Sequence, residues 1–319
     1  MINFNNKNIS EVSFVIISAL LITILLLYKD SSEVNLRLLI IGVVLGSVYS
    51  LAASGLSLIY GVRRIMNLAH GHLLILAAYF ALTFNTFYSM DIILSIPLIM
   101  LIFALIGALI YTVFIRPVYK MGFEPSITMT FGLLIFIETL MILWWTADVR
   151  IIRTPYSSMY IGIGEGLSVS IIEMVTVLTA LVAFVALSTF LNGTNIGRAI
   201  RAVSQDWEAA EFSGVDVEKV QLVTFMIGVS LAGLSGVFYG IQFSFTPSTG
   251  ITLLLISFAS IVLGGIGSLM GTFIASMLIA LIRSFSSFYL GAQIGDIITF
   301  SIFLSILILR PRGLMGRMI

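Results

Sequence analysis

Residues 92–114 read Ile-Ile-Leu-Ser-Ile-Pro-Leu-Ile-Met-Leu-Ile-Phe-Ala-Leu-Ile-Gly-Ala-Leu-Ile-Tyr-Thr-Val-Phe, without one charged side chain. A helix of about 20 apolar residues spans the hydrocarbon core of a bilayer. The whole chain has the same character, since 59% of its 319 residues are hydrophobic and only 10% are charged. Soluble domains are about 25% charged. The sequence therefore predicts a polytopic membrane protein and excludes a secreted domain and a cytosolic enzyme.

Nine further apolar runs lie on either side of this one. They are Val12–Tyr28, Leu36–Gly61, Leu73–Tyr88, Ser126–Trp145, Val169–Leu191, Gln221–Phe245, Ile251–Ile266, Thr272–Leu290 and Ile297–Leu309. We expect an all-α transmembrane helical bundle of about ten spans, within a range of roughly 8–11, that forms a single domain over residues 1–319. The eighth and tenth runs are short enough to be tilted or re-entrant. The first run is interpreted as a retained helix, because it has neither the basic flank nor the cleavage site of a signal peptide.

The distribution of Lys and Arg predicts the orientation. With ten spans both termini lie on one side, and that side holds 11 of the basic residues while the other side holds 4. Cytoplasmic loops carry the excess of Lys and Arg. We therefore expect a multi-pass protein of the cytoplasmic membrane with both termini in the cytoplasm and the loop Thr146–Leu167 outside.

Several kinds of site and partner are excluded by composition. The chain has no cysteine, so it has no disulfide framework and no thiolate metal site. Its net charge of +1 argues against a nucleic-acid partner. No G-x4-G-K-[ST] phosphate loop occurs, so we expect no ATPase and no cofactor in this chain.

The most charged stretch of the sequence is residues 192–220. Gly197–Ser213 has good helix formers and no proline, and Gly214 fits a helix C-cap, where a positive φ suits glycine. Two interpretations remain open: a solvated loop helix, or a cytoplasmic helix that docks into a cleft of another protein through small residues flanked by charges. The residues that would serve docking are Arg198, Arg201, Asp206, Glu208, Ala209, Ala210 and Gly214.

A family resemblance begins in this stretch. Glu208-Ala209-Ala210-x-x-x-Gly214 resembles the EAA-x3-G loop with which the permeases of ABC importers contact their ATPase. Gly197-Arg198-Ala199-x-Arg201-Ala202 resembles the subgroup that serves branched-chain amino acids and related amides. Three further segments agree in order: Gly55 to Gly71, Val262 to Gly271, and Leu309 to Gly316. The chain is therefore similar to the inner-membrane permease subunit of a Liv-type branched-chain amino acid ABC importer.

The resemblance implies a function and partners. The chain would form an alternating-access path for a branched-chain amino acid or a related amino acid or amide. ABC ATPase subunits would hydrolyse the ATP, an extracytoplasmic solute-binding protein would deliver the solute, and a second related permease or a second copy of this chain would complete the path. His72 departs from the family pattern, since many relatives carry a carboxylate or a small residue there.

The candidates for the substrate path lie in breaks between runs and at one buried charge. They are Asn67, His70, Gly71, His72, Glu138, Gly264, Gly265 and Gly267. A broken membrane helix presents free N–H groups that suit a carboxylate, although Asn67 and His70 could instead cap helices in a cytoplasmic turn. Glu138 lies in mid-span, where a carboxylate is a functional candidate or a hydrogen-bonded packing residue. Arg283 also lies within a span, and the sequence does not identify its partner.

Two other classes of protein remain as alternatives. A stand-alone secondary transporter or channel usually has several intramembrane carboxylates for its coupling ion, and Glu138 is the only one in mid-span. A membrane-embedded enzyme would need clustered nucleophiles or metal ligands, which His70 and His72 alone do not supply.

Overall fold

A computed structural model describes residues 32–63, 66–119, 122–162, 167–309 and 313–315. Its helices are α1 Ser32–Arg63, α2 His70–Phe87, α3 Ile92–Leu109, α4 Arg116–Tyr119, α5 Phe123–Trp145, α6 Ile171–Gly193, α7 Asn195–Gln205, α8 Trp207–Phe212, α9 Val217–Gln242, α10 Thr249–Gly264, α11 Leu269–Leu290 and α12 Ala292–Leu309. Ile110–Ile115 continues α3 with π-helical geometry. Two short antiparallel strands, β1 Tyr160–Gly162 and β2 Ser168–Ser170, pair with Tyr160 opposite Ser170.

The helical membrane class is confirmed. Six of the described helices are long and apolar enough to cross a bilayer, namely α1, α3 with its continuation, α5, α6, α9 and α11. α10 and the start of α12 are apolar but shorter. The prediction of about ten spans is not confirmed by this count, and the predicted first run, Val12–Tyr28, lies outside the described residues.

Side-chain caps determine where several helices begin. The carboxylate of Asp91 accepts a hydrogen bond from the N–H of Ile93 (2.8 Å) and starts α3. Ser170 and Glu173 form a reciprocal capping box at the start of α6. Such caps satisfy N–H groups that have no partner within the helix. The loop residues that precede long apolar runs therefore fix the register of each span.

α9 forms the centre of the bundle, and α1, α2 and α3 pack around it. α1 crosses it in the antiparallel direction, because Ser235 donates a hydrogen bond to the carbonyl of Val48 (2.8 Å) while Gly55 packs against Gly228. A Cβ at Gly228 would lie 2.7 Å from the carbonyl oxygen of Gly55. Glycine at these positions lets the two backbones touch, as small residues do in membrane helix pairs.

The second half of the bundle repeats the packing of the first half, with the corresponding helices running in the opposite direction. α2 follows α1 and packs on α9, whereas α10 follows α9 and packs on α1. In the same way α3 packs on α9 and α11 packs on α1, while α5 packs on α2 and α12 packs on α10. The helices α1, α2, α3 and α5 thus correspond to α9, α10, α11 and α12. This is the arrangement of inverted repeats, in which broken helices of the two halves meet near the middle of the membrane.

Candidate functional site

The chain between α1 and α2 turns back inside the bundle. His70, the first residue of α2, contacts the carbonyl oxygen of Ala52 through Nε2 at 2.9 Å. Ala52 and Gly55 lie in α1 two to three turns before its end at Arg63, which is roughly 12–16 Å along the helix axis. α2 therefore begins within the depth of the bundle and not at the end where α1 stops.

The N-termini of α2 and α10 meet at this point. Gly71 is the second residue of α2, and a Cβ there would collide with the carbonyl oxygen of Gly250 and lie 2.7 Å from the backbone nitrogen of Leu254. In return, a Cβ on Gly250 would lie 2.8 Å from Cγ of His72. Two short helices can approach this closely only because both positions are glycine. The break in the first half and the break in the second half form one structural site.

Polar atoms around this junction are buried without a hydrogen-bond partner. They are both side-chain atoms of Asn67, Nδ1 of His70, and both ring nitrogens of His72. Ala69 occupies the N-cap of α2, and no side chain caps the helix. The interpretation of Asn67 and His70 as helix caps is therefore wrong. Buried polar groups are nearly always paired with protein, water or ligand, so this cluster has hydrogen-bonding capacity that the described residues do not fill.

Glu138 joins this cluster from α5. Its Oε2 lies 3.4 Å from Nε2 of His72, and its side chain is 31% exposed while that of His72 is fully buried. The two atoms are close, but the ring nitrogen is not aligned for a hydrogen bond, and the imidazole carries a charge only when it is protonated. The structure thus brings together five sequence candidates: Asn67, His70, Gly71, His72 and Glu138.

The three glycines of the second predicted break lie elsewhere. Gly264 ends α10, and Gly265 and Gly267 form the turn to α11 with positive φ values of 98° and 83°. Residues 313–315 bind this turn, because Leu314 and Met315 donate backbone hydrogen bonds to the carbonyls of Leu263 (2.7 Å) and Gly264 (3.0 Å). At this turn the segment Val262 to Gly271 therefore contacts the segment Leu309 to Gly316, and the contact lies away from the α2–α10 junction.

The charged stretch 192–220 folds as two helices and not as the single helix that the sequence suggested. Asp206 ends α7 and starts α8, because its carboxylate accepts a hydrogen bond from the N–H of Ala209 (3.0 Å). α7 buries Gly197, Ile200 and Val203 on one side. The positive φ predicted for Gly214 is confirmed at 85°.

The side chains of this stretch are not all available to a partner. Ala210 is buried, and the guanidinium groups of Arg198 and Arg201 bind Asn195 and the carbonyl of Leu191, respectively. Ala209, Glu208, Asp206 and Gly214 are exposed. Sequence reasoning missed two exposed aromatic residues of α8, Trp207 at 38% and Phe212 at 92% exposure. Their signal was an aromatic ring in an otherwise polar segment.

Arg283 has partners in neighbouring helices. Its Nε donates to Oδ1 of Asp296 in α12 at 2.8 Å, and its terminal nitrogen donates to the hydroxyl of Tyr49 in α1. The ion pair connects α11 with α12, and the hydrogen bond to Tyr49 connects α11 with α1. Among the described ranges, no group of three His, Asp or Glu side chains is placed to hold a metal ion.

The loop after α5 is fastened to the start of α3. The hydroxyl of Tyr156 donates to Oδ2 of Asp91 at 2.6 Å, and this hydrogen bond holds the pKa of the Asp91 carboxyl below its usual value. Arg150 and Phe245 exchange backbone hydrogen bonds, at 2.9 Å and 2.8 Å. Residues 150–156 of this loop therefore lie at the same end of the bundle as the segment between α9 and α10.

Comparisons with known proteins agree along most of the chain. Residues 38–309 match the family described as branched-chain amino acid transport system, permease component. The chain is 28% identical over 296 residues to the high-affinity branched-chain amino acid transport permease BraD of Pseudomonas aeruginosa, covering 88% of this chain and 96% of the relative.

Two further relatives are also described as branched-chain amino acid transport permeases. The permease LivH of Salmonella typhimurium is 30% identical over 291 residues, 86% of this chain and 94% of the relative. The probable LivH of Methanocaldococcus jannaschii is 25% identical over 306 residues, 91% of this chain and 95% of the relative. No solved structure matches the chain.

Proposed function

The chain belongs to the family of permease components of branched-chain amino acid transport systems, and on that premise we propose that it forms the path of an ABC importer for a branched-chain or closely related amino acid. The relatives are transport permeases that match nearly their whole length, which favours this function over a stand-alone secondary transporter or channel. The chain is a multi-pass membrane protein, and we place it in the cytoplasmic membrane with both termini in the cytoplasm. A single membrane domain over residues 1–319 carries residues 192–220 as its coupling loop.

One observation carries the proposal of a path at the α2–α10 junction. Two short helices of opposite direction begin there, their N-termini are in contact, and buried polar atoms around them lack partners. Helix N-termini attract anionic groups, and transporters built from inverted repeats bind substrate where such broken helices meet. Movement of α2 against α10 would open the junction to one side of the membrane at a time.

The partners follow from the coupling loop and the family. α7 and α8 lie between the spans α6 and α9, and they present Trp207, Phe212 and the small Ala209 on an exposed surface. Buried aromatic anchors dominate the energy of many protein interfaces. We therefore assign this surface to the ATPase subunit, which would hydrolyse ATP for the chain. A second related permease or a second copy of this chain, together with an extracytoplasmic solute-binding protein, completes the proposed importer.

The experiment is ATP-driven uptake into proteoliposomes. The chain is expressed with candidate ATPase, permease and binding-protein subunits, and uptake of labelled leucine is measured with ATP inside the vesicles. Uptake that needs both ATP and the binding protein supports the proposal. Uptake by the chain alone, driven by an ion gradient, would support the secondary transporter instead.

A further inference from the structure

The carboxylate of Glu138 lies in an unusual place for a charge. It is seven residues from the end of α5 at Trp145, which is roughly 10 Å along the axis, and it is 31% exposed. Carboxylates at such depth nearly always face a water-filled cavity or a cationic partner, because exposure to hydrocarbon is costly. Among the described residues, the titratable side chain beside it is the imidazole of His72, at 3.4 Å and without an aligned hydrogen bond. Glu138 is therefore an accessible acceptor with unused capacity.

The first turn of α2, in contrast to the acceptor Glu138, is suited to receive a hydrogen-bond acceptor. Its N-cap residue is Ala69, which cannot cap through a side chain, and the helix is 18 residues long. Asn67 precedes the turn and is 99% buried, and within the described residues neither its amide oxygen nor its amide nitrogen has a partner. The N–H of His70 already donates to the backbone carbonyl of Asn67 at 3.2 Å, but the N–H groups that follow and the partial positive charge of a helix start favour an anionic group. An uncapped, buried helix start beside an unpaired amide is a place for a carboxylate.

The two features lie within one turn of each other, since His72, the contact of Glu138, is the third residue of α2. We propose that the first turn of α2 with Asn67, and Glu138 with His72, form the two ends of a site for a zwitterionic α-amino acid. Glu138 receives the ammonium group, and Asn67 and the helix start receive the carboxylate. This inference rests on the proposed transport function and adds to it a contact between permease and substrate.

His72 is the positioning residue of the site. Its ring contacts Glu138 on one side and packs against Gly250 of α10 on the other. A substrate ammonium group that binds Glu138 therefore changes a contact at the α2–α10 junction. Binding of the solute and separation of the two helices are coupled through this one side chain.

The experiment measures binding by the complete permease–ATPase complex in nanodiscs. The probes are leucine, 3-methylbutylamine, which lacks the carboxylate, and 4-methylpentanoate, which lacks the ammonium group. Labelled leucine is displaced by each analogue in the wild-type complex. Glu138→Gln weakens leucine binding about tenfold or more, the size expected for one charge-assisted hydrogen bond, and abolishes displacement by the amine. Asn67→Leu abolishes displacement by the carboxylate.

The matched control is Glu124→Gln, which removes an exposed carboxylate from the first turn of the same helix. It leaves binding and uptake unchanged, and Glu138→Asp restores part of both. Unchanged leucine binding and uptake in Glu138→Gln overturn the inference. So does failure of both analogues to displace leucine from the wild-type complex, a result that does not depend on how the variants fold. Wild-type vesicles that import no amino acid overturn the proposed function instead.

Discussion

Gly71 and Gly250 occupy the same position in two helices of opposite direction, the second residue of α2 and of α10, and their backbones are in contact. A side chain on either glycine meets backbone or an aromatic ring, and neither can move aside without moving its helix. The junction of the two inverted halves therefore depends on the absence of two Cβ atoms.

Substitution of Gly71 by alanine is expected to destabilise the folded protein and to reduce uptake. The added methyl group meets the carbonyl oxygen of Gly250, and overpacking of this kind typically costs about 1–3 kcal/mol. The measurements are the thermal unfolding midpoint in detergent and leucine uptake. Gly132→Ala in α5 is the control, because no atom lies within 4 Å of its added Cβ. Equal stability of the two variants would contradict the close packing.

Substitution of Phe212 by serine is expected to weaken the complex with the ATPase without changing the fold of the permease. Its ring is 92% exposed on α8, so its removal costs the isolated chain little packing, whereas loss of an interface anchor typically costs about 2 kcal/mol or more. The measurement is the yield of ATPase that co-purifies with tagged permease.

Phe87→Ser is the matched control for this variant. Phe87 is an aromatic residue with 78% exposure at the end of α2. Its replacement is expected to leave co-purification unchanged. Normal association of the Phe212 variant with the ATPase would remove α8 from the interface.

Single cysteines introduced at Ser158 and Ser204 are expected to react from opposite sides of the membrane. Both positions are exposed, and the chain has no cysteine of its own. A membrane-impermeant maleimide applied to intact cells should label Ser158→Cys, whereas Ser204→Cys should react only after lysis. The reverse pattern would invert the proposed orientation.

The hydrogen bond between Tyr156 and Asp91 is expected to stabilise the folded protein except at strongly acidic pH, where the Asp91 carboxyl is protonated. Because this bond lowers the pKa of Asp91 from the usual 3.8, its contribution is complete above that pH and is lost as the pH falls through the lowered value. Thermal unfolding of the wild type and Tyr156→Phe should therefore differ at pH 6, and the difference should shrink as the pH falls below 3.8. A constant difference across this range would contradict the assignment. Asp91→Asn, which keeps a helix cap but does not titrate, is the control.

The membrane class and most of the helices could be predicted from the sequence, because long apolar runs and their polar borders are local signals. The end at Gly214 could be predicted for the same reason. The break between α7 and α8 had a local signal as well. Aspartate is a favoured N-cap residue, and the carboxylate of Asp206 caps the N–H of Ala209, three residues later. That signal competed with a run of good helix formers.

The contacts of the site depend on tertiary packing and had no local signal. Glu138 and His72 are 66 positions apart, and only the packing of α5 on α2 brings them to 3.4 Å. The partners of Arg283 could not be predicted from the sequence either, because Asp296 belongs to the next helix and Tyr49 to the first described one. Burial of Ala210 beside exposed Ala209 depends on how α8 lies on the bundle.

Residues 313–315 have a consequence for biosynthesis. The last carbonyls of α10 are bound by the backbone of Leu314 and Met315, which the ribosome makes only after α11 and α12. Until those residues emerge, the end of α10 must rely on water or on the insertion machinery for its hydrogen bonds, because a bare helix end is costly away from water. The end of α10 therefore acquires its backbone partners late, after α11 and α12 have been synthesised.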